Sequence, residues 1–163
     1  MPLILPTLQG ELIAALDKGP KGNPTPELVG QDIGKAYFNY CSAGINGAGQ
    51  PMTAMSGASQ LGTDLGDLLA KNPNMGPAHA ATFSMRVNTC LSTWMSVYQT
   101  SIITAAGTSA LHQELNNIYS KSKGVPSLYA TALGRALHNF TRAAIVSGII
   151  PDAPGVSFTG PIN

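Results

Sequence analysis

Charge is what this chain has least of. Only 10% of its 163 residues are Asp, Glu, Lys or Arg, where an ordinary soluble domain carries about 25%. A free monomer uses such groups to stay soluble, so a surface this poor in them is expected to lie largely against other chains. The nine basic residues are scattered and the formal net charge is +1. Binding to nucleic acid by counterion release needs clustered Lys and Arg, which counts against nucleic acid as a partner. Long apolar runs are missing too. The longest, Ala143 to Ile150, is broken by Ser147 and Gly148, and a membrane span needs ~20 apolar residues. The start, Met1-Pro2-Leu3-Ile4-Leu5-Pro6, has no basic region and is too short for a signal-peptide core, so use without export is expected. There are two cysteines, Cys41 and Cys90. Both fall at helix-like positions among apolar neighbours, where a free thiol behaves as a small hydrophobe.

Chemical signatures are equally scarce. His79, His112 and His138 show neither the spacing nor the carboxylate company of a metal site. Gly30-Gln31-Asp32-Ile33-Gly34-Lys35-Ala36 is one residue short of a phosphate loop, and Ala36 stands where a hydroxyl would meet magnesium. No Gly-x-Ser-x-Gly elbow and no cleft-forming pair of carboxylates is present. An active site needs convergent perturbed groups. The expectation is therefore a protein with no catalytic residues, no cofactor, no metal and no small-molecule substrate.

What is present is repetition. A Leu-x-x-acid-Leu phrase occurs at Leu8–Leu12, Leu61–Leu65 and Leu111–Leu115, with Glu11, Asp64 and Glu114 as its acids. Ile33-Gly34-Lys35-Ala36-Tyr37-Phe38-Asn39-Tyr40 aligns with Leu133-Gly134-Arg135-Ala136-Leu137-His138-Asn139-Phe140. A period near fifty residues is the scale of a helical hairpin, a unit that must stack to bury its apolar face. The expected fold is all-α, a single domain over residues 1–163. It has about six helices as three stacked helical-hairpin repeats, at about 7–49, 60–107 and 108–149, with extended N- and C-terminal arms.

Apolar spacing places the helices at about Leu8–Asp17, Pro26 to the glycines from Gly44, Ser59–Lys71, Pro77–Thr104 and Ser109–Ser122, and, after a turn at Gly124-Val125-Pro126, a sixth that carries Ala132 to Ala144 and closes near Gly148. Thr25-Pro26-Glu27 carries a cap, a first-turn proline and a dipole-matched acid. The three acids of the repeated phrase read as outward first-turn residues favoured by the same dipole. Gly34 and Gly134 cost about 1 kcal/mol each inside a helix, which close helix approach would offset. Residues 44–60, rich in Gly and small residues, read as a flexible linker, with a partner-binding loop as the alternative.

The ends and one helix face supply the binding candidates. Residues 150–163 hold three prolines and two glycines, so this C-terminal arm is extended, yet it includes Ile150, Val156, Phe158 and Ile162. Extended ends fray unless tied to a surface, either their own body or a neighbour's. The expected partner-binding residues are Leu3, Ile4 and Leu5 of the N-terminal arm, those four of the C-terminal arm, and Met85 and Met95. The two methionines lie opposite the main apolar stripe of the fourth helix, among small side chains suited to contact with another helix.

In its repeated Leu-x-x-acid-Leu phrase, its Gly34-Lys35-Ala36-Tyr37 and Gly134-Arg135-Ala136-Leu137 segments and its Pro/Gly-rich end, the chain resembles small helical structural proteins of tailed bacteriophage particles. That resemblance implies a cofactor-free virion subunit, of the tail, baseplate or neck in preference to the head capsid. It implies other virion proteins and copies of itself as partners, and assembly in the host cytoplasm. The alternative is a cytoplasmic helical-repeat adaptor presenting a groove to peptides, which should carry more charge.

Overall fold

The computed structural model describes residues 3–17, 24–71, 76–121, 125–150 and 155–163. Among them are six helices: α1 (Leu5–Leu16), α2 (Pro26–Ser42), α3 (Ala58–Lys71), α4 (Pro77–Leu91), α5 (Ala105–Lys121) and α6 (Pro126–Ala143). Five strands accompany them: β1 (Met52–Met55), β2 (Trp94–Ser96), β3 (Gln99–Ile103), β4 (Ile145–Ile149) and β5 (Ser157–Pro161). The protein is mostly helical, but the strands form two small sheets, so the all-α expectation holds only in part.

Helix starts follow local chemistry. The Thr25 hydroxyl accepts a 3.4 Å hydrogen bond from the Leu28 amide, Pro26 occupies the first turn and Glu27 follows it. Proline stands in the first turn of α1, α4 and α6 as well. There its missing N–H costs nothing and its fixed φ suits the helix.

The helices bury one face each. Leu8 and Leu12 of α1, Leu61 and Leu65 of α3, and Leu111 and Leu115 of α5 are buried, and these are the leucines of the repeated phrase. On the longer helices Ile33, Phe83 and Leu133 are buried, as are Tyr37, Val87 and Leu137, and Tyr40, Cys90 and Phe140, fifty residues apart in each set. Each helix packs on its neighbours in sequence, and α6 packs back on α1. The helical layer therefore closes on itself.

The tightest contact is between α2 and α3. A Cβ on Gly34 would lie 2.8 Å from the Gly62 Cα, and one on Gly66 would lie 2.9 Å from the Glu27 Cα. Gly30 is closer still to Gly66. Two pairs of glycines, four residues apart on each helix, let the backbones touch. Gly134 sits against Gln9 of α1, where a Cβ would meet the Gln9 Cγ at 2.8 Å. The expected reason for Gly34 and Gly134, close helix approach, holds at both.

Two helices end earlier than their apolar periodicity indicates. The fourth was expected to reach Thr104 but stops at Leu91. The Ser92 hydroxyl donates to the Asn88 carbonyl at 2.7 Å and the Thr93 hydroxyl to that of Cys90 at 2.7 Å. Such side-chain bonds to the preceding turn compete with helix continuation. Trp94 then turns into the core, fully buried, its Nε1 donating to the Cys41 carbonyl at 3.3 Å. The sixth helix was expected to reach Gly148 but ends at Ala143, with the next residue already extended. The strands in both segments that changed type are short and carry few apolar residues each, and such runs fit either period. The fifth helix starts at Ala105, ahead of the expected Ser109, and Asn88 Oδ1 accepts the hydroxyls of Thr104 and Thr108 there.

The segment 44–60, read as a flexible linker, is built into the fold. Asn46 is buried, and its Oδ1 accepts the amides of Ala48 and Gln50 at 3.0 and 2.8 Å. This side-chain turn folds the chain so that Ile45 bridges Pro51 and β1 pairs antiparallel with β2. The glycines that suggested flexibility serve turns and close packing; Gly49, for instance, has φ +76°.

The arms are also part of the body. Leu5 opens α1 and Leu3 is buried, so residues 3–5 form no extended arm. The C-terminal segment is extended, as its composition requires, but β5 pairs with β4 of the same chain along its whole length. Residues 151–154 of that arm lie outside the described residues.

Candidate interaction surface

Strands β3, β4 and β5 form one antiparallel sheet with β4 in the centre. Side chains alternate between its faces. The inner face carries Val146 and Gly148, both buried, and Phe158, which packs on the core. A Cβ on Gly148 would strike the Phe158 ring and the Tyr98 carbonyl, so only glycine fits beneath that ring.

The outer face follows from the register. Ile103 pairs with Ile145 and Ile145 with Pro161, which makes one apolar row. Ser101 pairs with Ser147 and Ser147 with Thr159, which makes a hydroxyl row, and the Ser101 and Ser147 hydroxyls are 2.6 Å apart. Ile149 pairs with Ser157 at the far end, beside Val156, whose carbonyl accepts the Ile150 amide at 3.0 Å. Ile103 is 60% exposed and Ile149 55%, so among the described residues this face stands largely open.

None of the five strands contains Asp, Glu, Lys or Arg. Among the described residues the charged groups stand on the helices and at the end of α1, and the Arg142 guanidinium at the end of α6 donates to Asn163 Oδ1 at 3.4 Å, just past β5. On the smaller sheet Met95 faces outward opposite Ala54, both exposed, while Trp94 and Ser96 turn inward. The tight β2–β3 connection is fixed by Gln99, whose Oε1 accepts the Ser96 amide at 3.0 Å and whose Nε2 donates to the Trp94 carbonyl at 2.9 Å. Tyr98 takes φ +67° within it.

The binding candidates from the sequence scatter over this frame. Val156 is exposed and Ile150 half-buried at the rim of the three-stranded sheet, and Met95 belongs to the smaller sheet. Phe158 faces inward, and Ile162 is fully buried. Leu3 and Ile162 meet above Gly44, where a Cβ would lie 3.3 Å from the Leu3 Cδ2 and 2.7 Å from the Ile162 Cγ2. Ile4 is 44% exposed ahead of α1 and Leu5 is half-buried as its first residue. Met85 is 63% exposed on α4, apart from the strands. Sequence reasoning missed Ser101, Ile103, Ile145, Ser147, Ile149 and Thr159. The available signal was the period-two pattern Ile145-Ser147-Ile149, hidden in a run that also suited a helix end.

The acids of the repeated phrase do something other than expected. None lies in a first turn. Glu11 accepts from Asn39 Nδ2 at 3.0 Å, Glu114 from Asn139 Nδ2 at 3.2 Å, and Asp64 pairs with Arg86 at 3.3 Å. Each acid thus ties its helix to the following one, α1 to α2, α3 to α4 and α5 to α6. The groove between α1 and α2 gathers Glu11, Asp32, Lys35 and Asn39, and the Glu11–Asn39 bond occupies part of its polar lining.

Cys41 and Cys90 are buried free thiols. Burial pushes the Cys90 thiol up to about 12 and raises Cys41 further, so neither forms thiolate near neutrality. His79 is buried, stacked on Phe83 and edge-on to Tyr119 at 5.3 Å. His138 is hydrogen-bonded through Nδ1 to the Tyr40 hydroxyl at 2.6 Å. Among the described residues no helix is long and apolar enough to cross a membrane, and no three potential ligands cluster to hold a metal ion. Compared with protein-family models, curated proteins and solved structures, the chain matches none of them.

Proposed function

We propose that this chain is a non-enzymatic assembly subunit whose work is to bind neighbouring protein chains. The observation that carries the reading is the charge-free outer surface of the strands, where Ile103, Ile145 and Ile149 stand exposed in register. Exposed apolar rows on a regular, rigid sheet are the form of an interface, because burying them against another protein is favourable while leaving them in water is not. The six helices are three hairpin units, each tied by its acid and each followed by strand segments. In that reading Ile45, Met95 and Ile145 are corresponding positions, fifty residues apart.

The setting we propose is a bacteriophage particle, in the tail, baseplate or neck rather than the head, with other virion proteins and copies of the chain as partners. The support for that setting is the sequence resemblance. An adaptor presenting an open groove to peptides fits less well, since the return of α6 onto α1 leaves no open end to the helical layer. Mass spectrometry of purified particles of the virus that encodes the chain tests the proposal. Peptides of this protein are expected in stoichiometric amount, and their absence from intact particles would overturn it.

A further inference from the structure

We propose that the chain is a closed ring of three units related by a pseudo-three-fold axis, in which each unit passes its second strand to the first strand of the next, and that the segment from Ser157 to Asn163 is the latch that closes it. The inference is independent of the assembly role and holds whether or not that role does.

The helices carry the first part of the argument. Within the units α1 packs on α2, α3 on α4 and α5 on α6, and between them α2 packs on α3, α4 on α5 and α6 on α1. The same two contacts recur three times and return to their start. The second helix of each unit also hands over to strand in the same way. Ser42, Ser92 and Arg142 are exposed there and Asn46, Ser96 and Val146 buried, fifty residues apart in each set. The handover regions meet one another, with the Tyr37 and Thr141 hydroxyls 2.8 Å apart and the Trp94 indole donating to the Cys41 carbonyl at 3.3 Å.

The strands close the ring independently of the helices. Ala54 of β1 pairs with Met95 of β2, and Ile103 of β3 pairs with Ile145 of β4. Met95 and Ile145 correspond to Ile45, and the residue opposite Ile45 is Asn163, which exchanges two 2.9 Å backbone hydrogen bonds with it. The second strand of each unit therefore lies on the first strand of the next, and that of the third unit returns to the first. Head-to-tail contacts of one kind either run on as an open stack or close into a ring, and closure needs each step to be a whole fraction of a turn. Three units meeting at three like seams take a third of a turn each. At two seams the chain itself runs on, from β1 into α3 and from β3 into α5. At the third, residue 163 does not lead into α1, so the pairing of the latch stands in for the covalent join. Ile162, fully buried beside Leu3 above Gly44, anchors it.

Hydrogen exchange of the full chain, read amide by amide, tests this. With the ring closed, the Ile45 and Asn163 amides are expected to exchange within about tenfold of the amides that pair β1 with β2 and β3 with β4, because the three seams then open together. Asn163→Pro withdraws the N–H given to the Ile45 carbonyl, while Asn163→Ala keeps it and loses the same side-chain contact with Arg142. Circular dichroism checks that both variants fold as the parent does. The proline variant is expected to speed exchange at the Ile45 amide by at least about tenfold, the scale of one backbone hydrogen bond lost with its acceptor left unpaired, and the alanine variant to leave it as in the parent. If the Ile45 and Asn163 amides of the parent exchange more than about tenfold faster than those of the other two seams, the third seam is frayed and the closed ring is overturned. Equal exchange at Ile45 in the two variants would overturn the latch.

Discussion

Single glycines in this chain have opposite roles that their sequence context does not reveal. Gly10 lies within α1 with open space where a Cβ would go, so Gly10→Ala is expected to stabilise the protein by about 0.5–1 kcal/mol through helix propensity alone. Gly66→Ala drives a Cβ to 2.9 Å from the Glu27 Cα, a backbone atom that cannot step aside. The strain of such overpacking is about 1–3 kcal/mol and outweighs the propensity gain. Urea denaturation of the two variants checks the contrast. His138 gives a pH dependence whose sign follows from its burial and, secondarily, from Arg142, both of which lower its pKa. The folded protein therefore prefers neutral His138, whose Nδ1 accepts the Tyr40 hydroxyl proton, while the unfolded chain titrates near 6.5. This contribution to stability is complete above about pH 6.5 and is lost as pH falls below it toward the folded value. The urea midpoint is expected to decline between about pH 7 and 5, and His138→Gln to flatten that decline. At the cysteines, a thiol reagent at pH 8 is expected to label neither Cys41 nor Cys90 until denaturant is added. Rapid labelling of the native protein would contradict their burial.

At the scale of elements, the C-terminal strand is the piece whose role changed most between sequence and fold. Its composition shows that it is extended, since prolines and glycines forbid a helix there. It does not show that β5 completes a sheet with β4, or that the backbone of Asn163 exchanges two 2.9 Å hydrogen bonds with Ile45. Ile162 is fully buried beside Leu3. Ile162→Ala is expected to cost about 2–5 kcal/mol, the usual range for emptying a buried aliphatic site, measured as a fall in the denaturation midpoint. A change within error would mean that this end is not docked on the body. Strands β2, β3 and β4 were illegible for a common reason. Each is three to five residues long and borders a helix in sequence, β2 and β4 after one and β3 before one, and in so short a window a period of 2 and a period of 3.6 select many of the same positions. Trp94 shows the ambiguity: its burial was foreseen, but as part of a helical stripe.

For the whole molecule, closure is the property that matters for stability. Linear stacks of hairpins unfold by segments, because each unit meets only its neighbours. Here α1 packs on α6, and the last residue is bonded to Ile45, so the first and last units hold each other. Heat or denaturant is expected to unfold the protein in one transition, with near- and far-ultraviolet circular dichroism coinciding. Separate transitions would show that the units are energetically independent.

The sequence by itself determined the helical framework. Its repeated leucines fall on buried faces, its prolines and Thr25 open helices where local chemistry puts them, and its scarcity of charge marked a surface unlike that of an ordinary monomer. Those features are local or compositional, and the chain expresses them whatever surrounds it. The tertiary structure alone decided that the ends belong to the body, that residues 44–60 are a built turn and strand, and that Glu11, Asp64 and Glu114 tie helix to helix. It also decided that Ile103, Ile145 and Ile149 share one open face. Each of these depends on partners far away in sequence, and hydrogen-bond register between distant strands is set by the packed core beneath them, which no local pattern encodes.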